Sequence, residues 1–189
     1  MSVLDRSAPV LMSVFQGQAA LLIQAPVETV YAYLADFQRH PEWAQNLSKV
    51  TPTSTRPTEV GATFRCEEGP PPVPLGTRLK MMAHFMAGVF SGAKTYSEAK
   101  ITALELNRRI AWQAGIPKGD GFLSFAEWEF SLEAHAGATR VTQRFRYAPP
   151  DPQGQRMIGA AGAAGLERAC TVSLTRLKRR LELSSASGA

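Results

Sequence analysis

Two neighbouring segments, residues 121–134 and 138–148, constrain the fold of this chain more than any other part of its sequence. In each segment apolar residues alternate with polar or charged ones, which is the two-residue period of a β-strand with one buried face. The residues HAGA at 135–138 separate the two segments, and Gly137 can supply the positive backbone angle of a tight turn. The two segments are therefore predicted to form an antiparallel hairpin.

Charge sets the register of this hairpin. A turn at 135–138 places Glu133 opposite Arg140, Ser131 opposite Thr142, Glu129 opposite Arg144 and Glu127 opposite Arg146. One face of the hairpin is then a ladder of opposite charges, and a slip of one residue would exchange the two faces. We therefore interpret Glu127 and Glu129 as solvent-facing structural residues and not as a pair of catalytic carboxylates.

The other face of the hairpin is apolar and aromatic. It holds Ala126, Trp128, Phe130 and Leu132 opposite Tyr147, Phe145, Gln143 and Val141. Gln143 is strongly polar, and a buried amide needs a hydrogen-bond partner. The sequence leaves open whether that partner is a nearby backbone group or a bound molecule.

A C-terminal helix is predicted to cover this apolar face. Residues 151–183 have helical periodicity, with Pro152 in the first turn. The buried stripe at 3.6 residues per turn consists of Leu166, Cys170, Leu174, Leu177 and Leu181. Upstream, the same face of the helix carries Gly159 and Ala163, with Gly162 next to them. The stripe therefore has large side chains in its second half and almost none in its first. We predict that the bare half roofs a cavity; close backbone packing is the alternative.

The rest of the chain is predicted to form a first strand, helical segments and a run of short strands. Residues 11–24 fit a strand, since Gly17 and Pro26 interrupt helical continuity. Pro26 suits the first position of the helix that follows, and Pro41 ends that helix or starts a second short one. Further strand-like segments lie at 47–54, 61–68, 95–106 and 108–115. Consecutive short strands imply an antiparallel sheet, so the predicted class is α+β.

Composition limits the class of protein. The chain has 189 residues, a net charge of +5 and two distant cysteines. This length fits one domain, which we place at 11–183, between a flexible lead-in at 1–10 and a disordered tail at 184–189. The two cysteines indicate no disulfide framework, and no apolar run is long enough to span a membrane. We therefore predict a cytoplasmic protein.

The sequence lacks the motifs of metal, nucleotide and nucleic-acid sites. Its three histidines share no metal-ligand spacing, and GAAGAAG at 159–165 fits neither a dinucleotide-binding motif nor a P-loop. The basic run RLKRR at 176–180 has no interleaved aromatic residues, so nucleic acid is not an expected partner. We predict no metal and no cofactor. Weak contact with a membrane surface stays open, and the sequence does not fix the oligomeric state.

The order of elements, together with IQAPVETVYAYLADFQRHPEW at 23–43, resembles the START/Bet v 1-like (SRPBCC) superfamily of polyketide cyclase/dehydrase and lipid-transport proteins. The matching features are Ile23, Ala25, Pro26, Val30, Tyr31, Leu34, Asp36, Pro41 and Trp43, with RRIAWQA at 108–114 and TRLKRRLE at 175–182. The resemblance implies a helix-grip fold, in which a curved antiparallel sheet wraps the long C-terminal helix and two short helices follow the first strand. It also implies a deep hydrophobic cavity between sheet and helix, lined by the apolar face of the hairpin.

Residues 69–93 depart from the family pattern as an insertion. After its prolines, Leu79, Met82, Met86 and Val89 keep helical spacing, although alternate residues in the same stretch also fit a strand. We favour a helix here. Because methionine-rich surfaces adapt to varied shapes, this helix could act as a lid over the cavity. An extra element packed on the core and a patch for a membrane or partner are the alternatives.

Three functional hypotheses follow. We favour non-catalytic binding or transfer of a hydrophobic small molecule, such as a lipid, isoprenoid, quinone or polyketide-like compound. The alternatives are an aromatase/cyclase or dehydratase-type enzyme, with His84 and Tyr147 as acid–base candidates, and a macromolecule- or membrane-associated module. The expected ligand-binding residues are Trp112, Trp128, Phe130, Gln143, Phe145, Tyr147, His84, Met82, Phe85, Gly159, Gly162, Ala163 and Leu166.

The other two histidines are expected on the surface. His40 lies beside Pro41, and His135 lies in the hairpin turn.

Overall fold

Seven strands form one antiparallel sheet, and the C-terminal helix packs against it. The computed structural model describes residues 14–45, 47–68, 83, 86, 94–148 and 162–186. The strands are β1 (Phe15–Ile23), β2 (Leu47–Pro52), β3 (Thr63–Glu68), β4 (Ser97–Glu105), β5 (Arg109–Lys118), β6 (Gly121–His135) and β7 (Ala138–Tyr147). The helices whose bounds fall within the described residues are α1 (Val27–Ala35), a 3-10 helix (Phe37–Glu42) and α2 (Gly162–Ala186). The spatial strand order is β1-β7-β6-β5-β4-β3-β2, which confirms the predicted α+β helix-grip fold.

Strands β6 and β7 pair in the register that charge alternation predicts. The facing residues are Glu127–Arg146, Glu129–Arg144, Ser131–Thr142 and Glu133–Arg140. Glu129 accepts from Arg144 at 3.1 Å and from Arg109 of β5 at 2.7 Å, so the ladder extends across three strands. Gly137 takes a φ of +84° in the turn. The glutamates are part of a structural charge ladder on the outer face of the sheet.

Helix α2 buries the predicted leucine stripe against the inner face of the sheet. The stripe residues Cys170, Leu174, Leu177 and Leu181 are buried, and Leu166 is half-buried. Gly162 opens the helix with a φ of +55°, which lies in the left-handed region. A right-handed helix cannot run unbroken through such a residue. The expectation of one continuous helix over 151–183 is therefore wrong at Gly162, and residues 151–161 lie outside the described residues.

The helical region after β1 also differs from the prediction. Pro26 is the N-cap residue of α1, with φ −59° and ψ 148°, and not its first helical residue. Pro41 lies inside the 3-10 helix. The Asp36 carboxylate accepts from the backbone N–H of Gln38 at 3.2 Å, at the point where α1 ends and the tighter helix begins. The chain therefore makes one short α-helix followed directly by a 3-10 helix.

Charged side chains of α2 tie the helix to the open edge of β1. Glu182 accepts from the backbone N–H of Gln24 at 2.7 Å. Lys178 donates to the carbonyl of Leu22 at 2.9 Å and to Glu182 at 2.5 Å. These bonds satisfy backbone groups that an edge strand leaves unpaired. They also fix the position of α2 over the inner face.

The described part of the insertion is limited to Ala83 and Met86, both helical and exposed. Met82, His84 and Phe85 lie outside the described residues, as do the predicted lead-in at 1–10 and the end of the tail. Within the described ranges, no helix is long and apolar enough to cross a membrane.

Candidate ligand-binding cavity

A cavity of about 250 Å³ lies between α2, the 3-10 helix and the inner face of the sheet. Its described lining residues include Phe37, His40, Trp43, Ala44, Gln45, Cys66, Ser97, Trp112, Trp128, Gln143, Leu166, Ala169, Cys170 and Ser173. Most of this wall is apolar, and much of it is aromatic. Such a surface, with a few polar groups, is typical of a small-molecule site.

One aromatic wall follows from the geometry of the 3-10 helix. Side chains three residues apart eclipse one another at three residues per turn, and Phe37, His40 and Trp43 have this spacing. The ring centroids of Phe37 and His40 are 4.3 Å apart, and those of His40 and Trp43 are 4.8 Å apart. Trp112 of β5 meets Phe37 edge-on at 5.5 Å. The 3-10 helix and its C-cap residue Trp43 together thus present three rings to the cavity.

His40 is buried, so the expectation of a surface histidine is wrong. It is 3% exposed, and its Nε2–H donates to the carbonyl of Leu34 at 2.9 Å. Burial lowers the pKa of its imidazole to about 4, against a smaller raising effect of that hydrogen bond. His40 is therefore neutral at pH 7. The expectation rested on the position of His40 beside Pro41, whereas both residues lie within the 3-10 helix, which turns the His40 ring inward.

Three residues that line the cavity each have a buried polar atom with no hydrogen-bond partner among the described residues. These atoms are Nε1 of Trp43, Oε1 of Gln45 and Oε1 of Gln143. The first is a donor and the other two are acceptors. The backbone N–H of Gln45 donates to Ser173 Oγ of α2 at 3.2 Å, which holds this residue at the helix. Unpartnered buried polar atoms are rare in folded proteins, and these three belong to residues that line one cavity.

The expected ligand-binding residues that the structure describes lie in three places. Trp112, Trp128, Gln143 and Leu166 line the cavity. Phe130, Phe145 and Tyr147 are buried on the same side of the hairpin but are not among its lining residues. Gly162 and Ala163 are half-buried in the first turn of α2, also away from the lining. Met82, His84, Phe85 and Gly159 lie outside the described residues.

Sequence reasoning missed the contribution of the 3-10 helix and of the small polar residues. Phe37, His40, Trp43, Gln45, Ser97 and Ser173 all line the cavity. A three-residue spacing of ring-bearing residues at 37, 40 and 43 was the available signal for the first three. Local sequence carries no comparable signal for Ser97 and Ser173, which reach the cavity through the packing of distant elements.

A larger depression, of about 680 Å³, lies on the outer face of the sheet along the charge ladder. Its ionic side chains pair with each other: Arg146 contacts Glu127 at 3.2 Å, and Arg144 contacts Glu129 at 3.1 Å. None of the unpartnered buried polar atoms found in the described residues belongs to its lining. We therefore treat the smaller inner cavity as the candidate site. No group of three or more potential metal ligands occurs within the described residues.

Fold and cavity together define a helix-grip protein with an aromatic-walled interior site. Residues 16–182 match the sequence profile of the family described as polyketide cyclase / dehydrase and lipid transport. The chain belongs to this family, which confirms the resemblance drawn from the sequence.

Solved structures of low sequence identity share the fold. The Zhui aromatase/cyclase from Streptomyces sp. R1128 superposes with a TM-score of 0.63 at 12% identity, covering 90% of this chain and 94% of that one. Protein DR_A0006 from Deinococcus radiodurans gives 0.53 at 22% identity, covering 91% and 99%. DynU16, a protein of the dynemicin biosynthetic locus, gives 0.54 at 20% identity, covering 88% of this chain and 47% of that one. No curated protein matches the chain.

Proposed function

We propose that the protein binds or transfers a hydrophobic small molecule in the cavity beneath α2. The observation that carries this proposal is a cavity walled by aromatic residues, Phe37, Trp43, Trp112 and Trp128 among them, with a few polar residues in its lining. Burial of apolar ligand surface contributes roughly 25 cal/mol per Å², and a few polar groups would orient the ligand. Membership of a family that includes lipid-transport proteins supports this function.

The chemistry of the described wall favours binding over catalysis. A general base works best with a pKa near the operating pH, whereas the pKa of His40 is about 4 and its Nε2–H is already bonded. Burial raises the pKa of the Cys170 thiol to about 12, which leaves almost no thiolate. Tyr147, an acid–base candidate from the sequence, is not among the lining residues.

An aromatase/cyclase or dehydratase-type enzyme is the second candidate, because the family also includes polyketide cyclases and dehydrases. It would depend on His84, the other candidate from the sequence. Loss of turnover of a polyketide-like substrate in His84→Ala would support this candidate. Equal turnover in wild type, His84→Ala and Tyr147→Phe would show that neither residue acts as the acid or base of this enzyme.

The test of the binding function uses the purified full chain. Native mass spectrometry and solvent extraction should show one co-purifying apolar molecule per chain. All three tryptophans of the chain, Trp43, Trp112 and Trp128, line the cavity, so their fluorescence should change when a ligand enters. A mass equal to the chain alone, with emission unaltered by a fatty acid, an isoprenol, a quinone and a naphthalene, would contradict the proposal.

A further inference from the structure

We propose that the solvent-facing side of α2 binds the surface of an anionic lipid membrane. This side of the helix, here called the outward face, lies opposite the buried leucine stripe. Its six exposed residues are Arg168, Val172, Thr175, Arg176, Arg179 and Leu183. The inference goes beyond the proposed function, because it concerns the outer side of the helix and does not depend on what the cavity holds.

Helix geometry brings the six residues together. At 3.6 residues per turn they fall within an arc of about 100° around the helix axis. On the opposite side, Cys170, Leu174 and Leu177 are buried. At a rise of 1.5 Å per residue, the outward face extends for about 22 Å from Arg168 to Leu183. It is therefore a continuous exposed strip along one side of α2.

The charges of α2 are sorted between its flanks and its outward face. The helix carries five basic and two acidic side chains. Both acidic residues, Glu167 and Glu182, point sideways and accept backbone N–H groups along the β1 edge. On the other flank, Arg180 contacts Glu42 of the 3-10 helix at 3.8 Å. The three arginines of the outward face have no carboxylate partner among the described residues, so this face is uniformly positive.

The outward face also has an apolar component. Val172 and Leu183 lie between the arginines and are 41% and 63% exposed. The Thr175 hydroxyl donates to the carbonyl of Thr171 at 2.8 Å, so it already has a partner within the helix. Helices that lie in the membrane interface combine basic residues with exposed aliphatic residues in this way.

An anionic lipid surface matches both components. Its phosphates and carboxylates accept from arginine guanidinium groups, and its acyl region receives aliphatic side chains. A nucleic acid offers phosphates, but its exposed bases stack on aromatic residues, and the outward face has none. The aliphatic residues Val172 and Leu183 would then gain no partner. A membrane surface is therefore the partner that uses the whole outward face.

The first experiment is co-sedimentation of the full chain with two kinds of vesicle. One kind contains phosphatidylcholine alone, and the other contains equal parts of phosphatidylcholine and phosphatidylserine. The chain should bind the second kind only, and high salt should weaken this binding because it screens exposed charges. Absence of binding to the phosphatidylserine vesicles would overturn the proposal. Tighter binding to polyglutamate or to a DNA duplex would also overturn it, since the partner would then be another polyanion.

The second experiment removes the charges of the outward face. The combined variant Arg168→Gln, Arg176→Gln and Arg179→Gln should lower the vesicle partition coefficient on the order of 100-fold. This value follows because each basic residue near an anionic surface contributes about fivefold. Circular dichroism checks that the variant is folded.

A matched control separates the outward face from net charge. The control variant loses the same charge at three exposed positions outside α2, by Lys94→Gln, Lys100→Gln and Arg140→Gln. It should keep most of the wild-type binding. An equal loss in the two triple variants would show that the net charge of the chain, and not the outward face, attracts it to the vesicles.

The third experiment tests the apolar component at constant charge. The double variant Val172→Ser and Leu183→Ser should lower the partition coefficient at least about tenfold, because it removes the aliphatic groups that enter the lipid. Its salt dependence should match that of the wild type. An unchanged partition coefficient would show that the helix does not enter the interface, and would overturn the proposed mode of binding.

Discussion

The rings of Phe37 and His40 are stacked with their centroids 4.3 Å apart, and this contact places a titratable group inside an aromatic wall. Phe37 also stacks on Phe64 of β3 at 5.1 Å, so the histidine is joined to the core of the sheet. A charged imidazolium at this position would lose its hydration. Protonation of His40 therefore links both the stability of the fold and the charge of the cavity wall to pH.

His40 makes the protein less stable in mild acid. Burial lowers its pKa from 6.5 to about 4, so the unfolded chain binds more protons than the folded one between these values. The contribution of neutral His40 to the free energy of unfolding is therefore complete above about pH 6.5 and is lost as the pH falls towards 4. We expect the free energy of unfolding to fall by about 2 kcal/mol between pH 7.5 and pH 5, as measured by urea denaturation.

Two variants isolate this effect. His40→Phe keeps a ring in the stack and removes the titrating group, so its loss of stability over the same range should be smaller by that amount. His135→Gln removes an exposed histidine and should retain the full wild-type loss. A wild-type pH profile that matches the profile of His40→Phe would contradict the role assigned to His40.

Gln143 is expected to stabilise a complex and not the empty protein. Its buried Oε1 has no partner among the described residues, and an unpartnered buried acceptor costs about 1–3 kcal/mol. Gln143→Leu should therefore leave the unfolding free energy unchanged or raise it by about 1 kcal/mol. Phe130→Ala, at the facing position on β6, should lower it by about 3–5 kcal/mol. A loss above about 1 kcal/mol in Gln143→Leu would show that the amide has a structural role.

Much of the fold could be predicted because neighbouring segments carry complementary patterns. The β6–β7 register follows from alternating Glu and Arg residues, since a slip of one residue would bury the charges. The stripe that ends in Leu174, Leu177 and Leu181 follows from helical periodicity alone. In both cases the determining information lies within about 30 residues of sequence.

The cavity could be predicted only in part, because distant segments form it. Gln45 bonds to Ser173, which is 128 residues later in the chain, and no local pattern indicates that contact. The inward position of His40 depends on a 3-10 helix that continues through Pro41, which the spacing of the preceding residues does not indicate. The positive φ of Gly162 is likewise not indicated by the helical spacing of the residues around it.

Glu182 is expected to hold α2 to the edge of the sheet. It accepts from the backbone N–H of Gln24 at 2.7 Å and also contacts Lys178. Glu182→Ala should lower the unfolding free energy by about 1–3 kcal/mol, because a hydrogen bond to a charged group is lost. Arg179→Ala, on an exposed position of the same helix, should change it by less than about 0.5 kcal/mol. Hydrogen exchange at the Gln24 amide should accelerate in the first variant only; unchanged exchange would contradict the contact.

Substitutions at Ala169 and Gly162 distinguish two effects: loss of cavity volume and backbone strain at the start of α2. Ala169 lines the cavity, so Ala169→Leu should occupy part of the 250 Å³ and weaken ligand binding at least about tenfold, with little loss of stability. Gly162 has a φ of +55° and open space where a Cβ would lie. Gly162→Ala should therefore cost about 1–2 kcal/mol of stability through backbone strain and leave affinity unchanged. Calorimetric titration and thermal unfolding of both variants measure the two effects. If Gly162→Ala weakens binding as strongly as Ala169→Leu, the first turn of α2 contributes to the site, as the sequence first suggested.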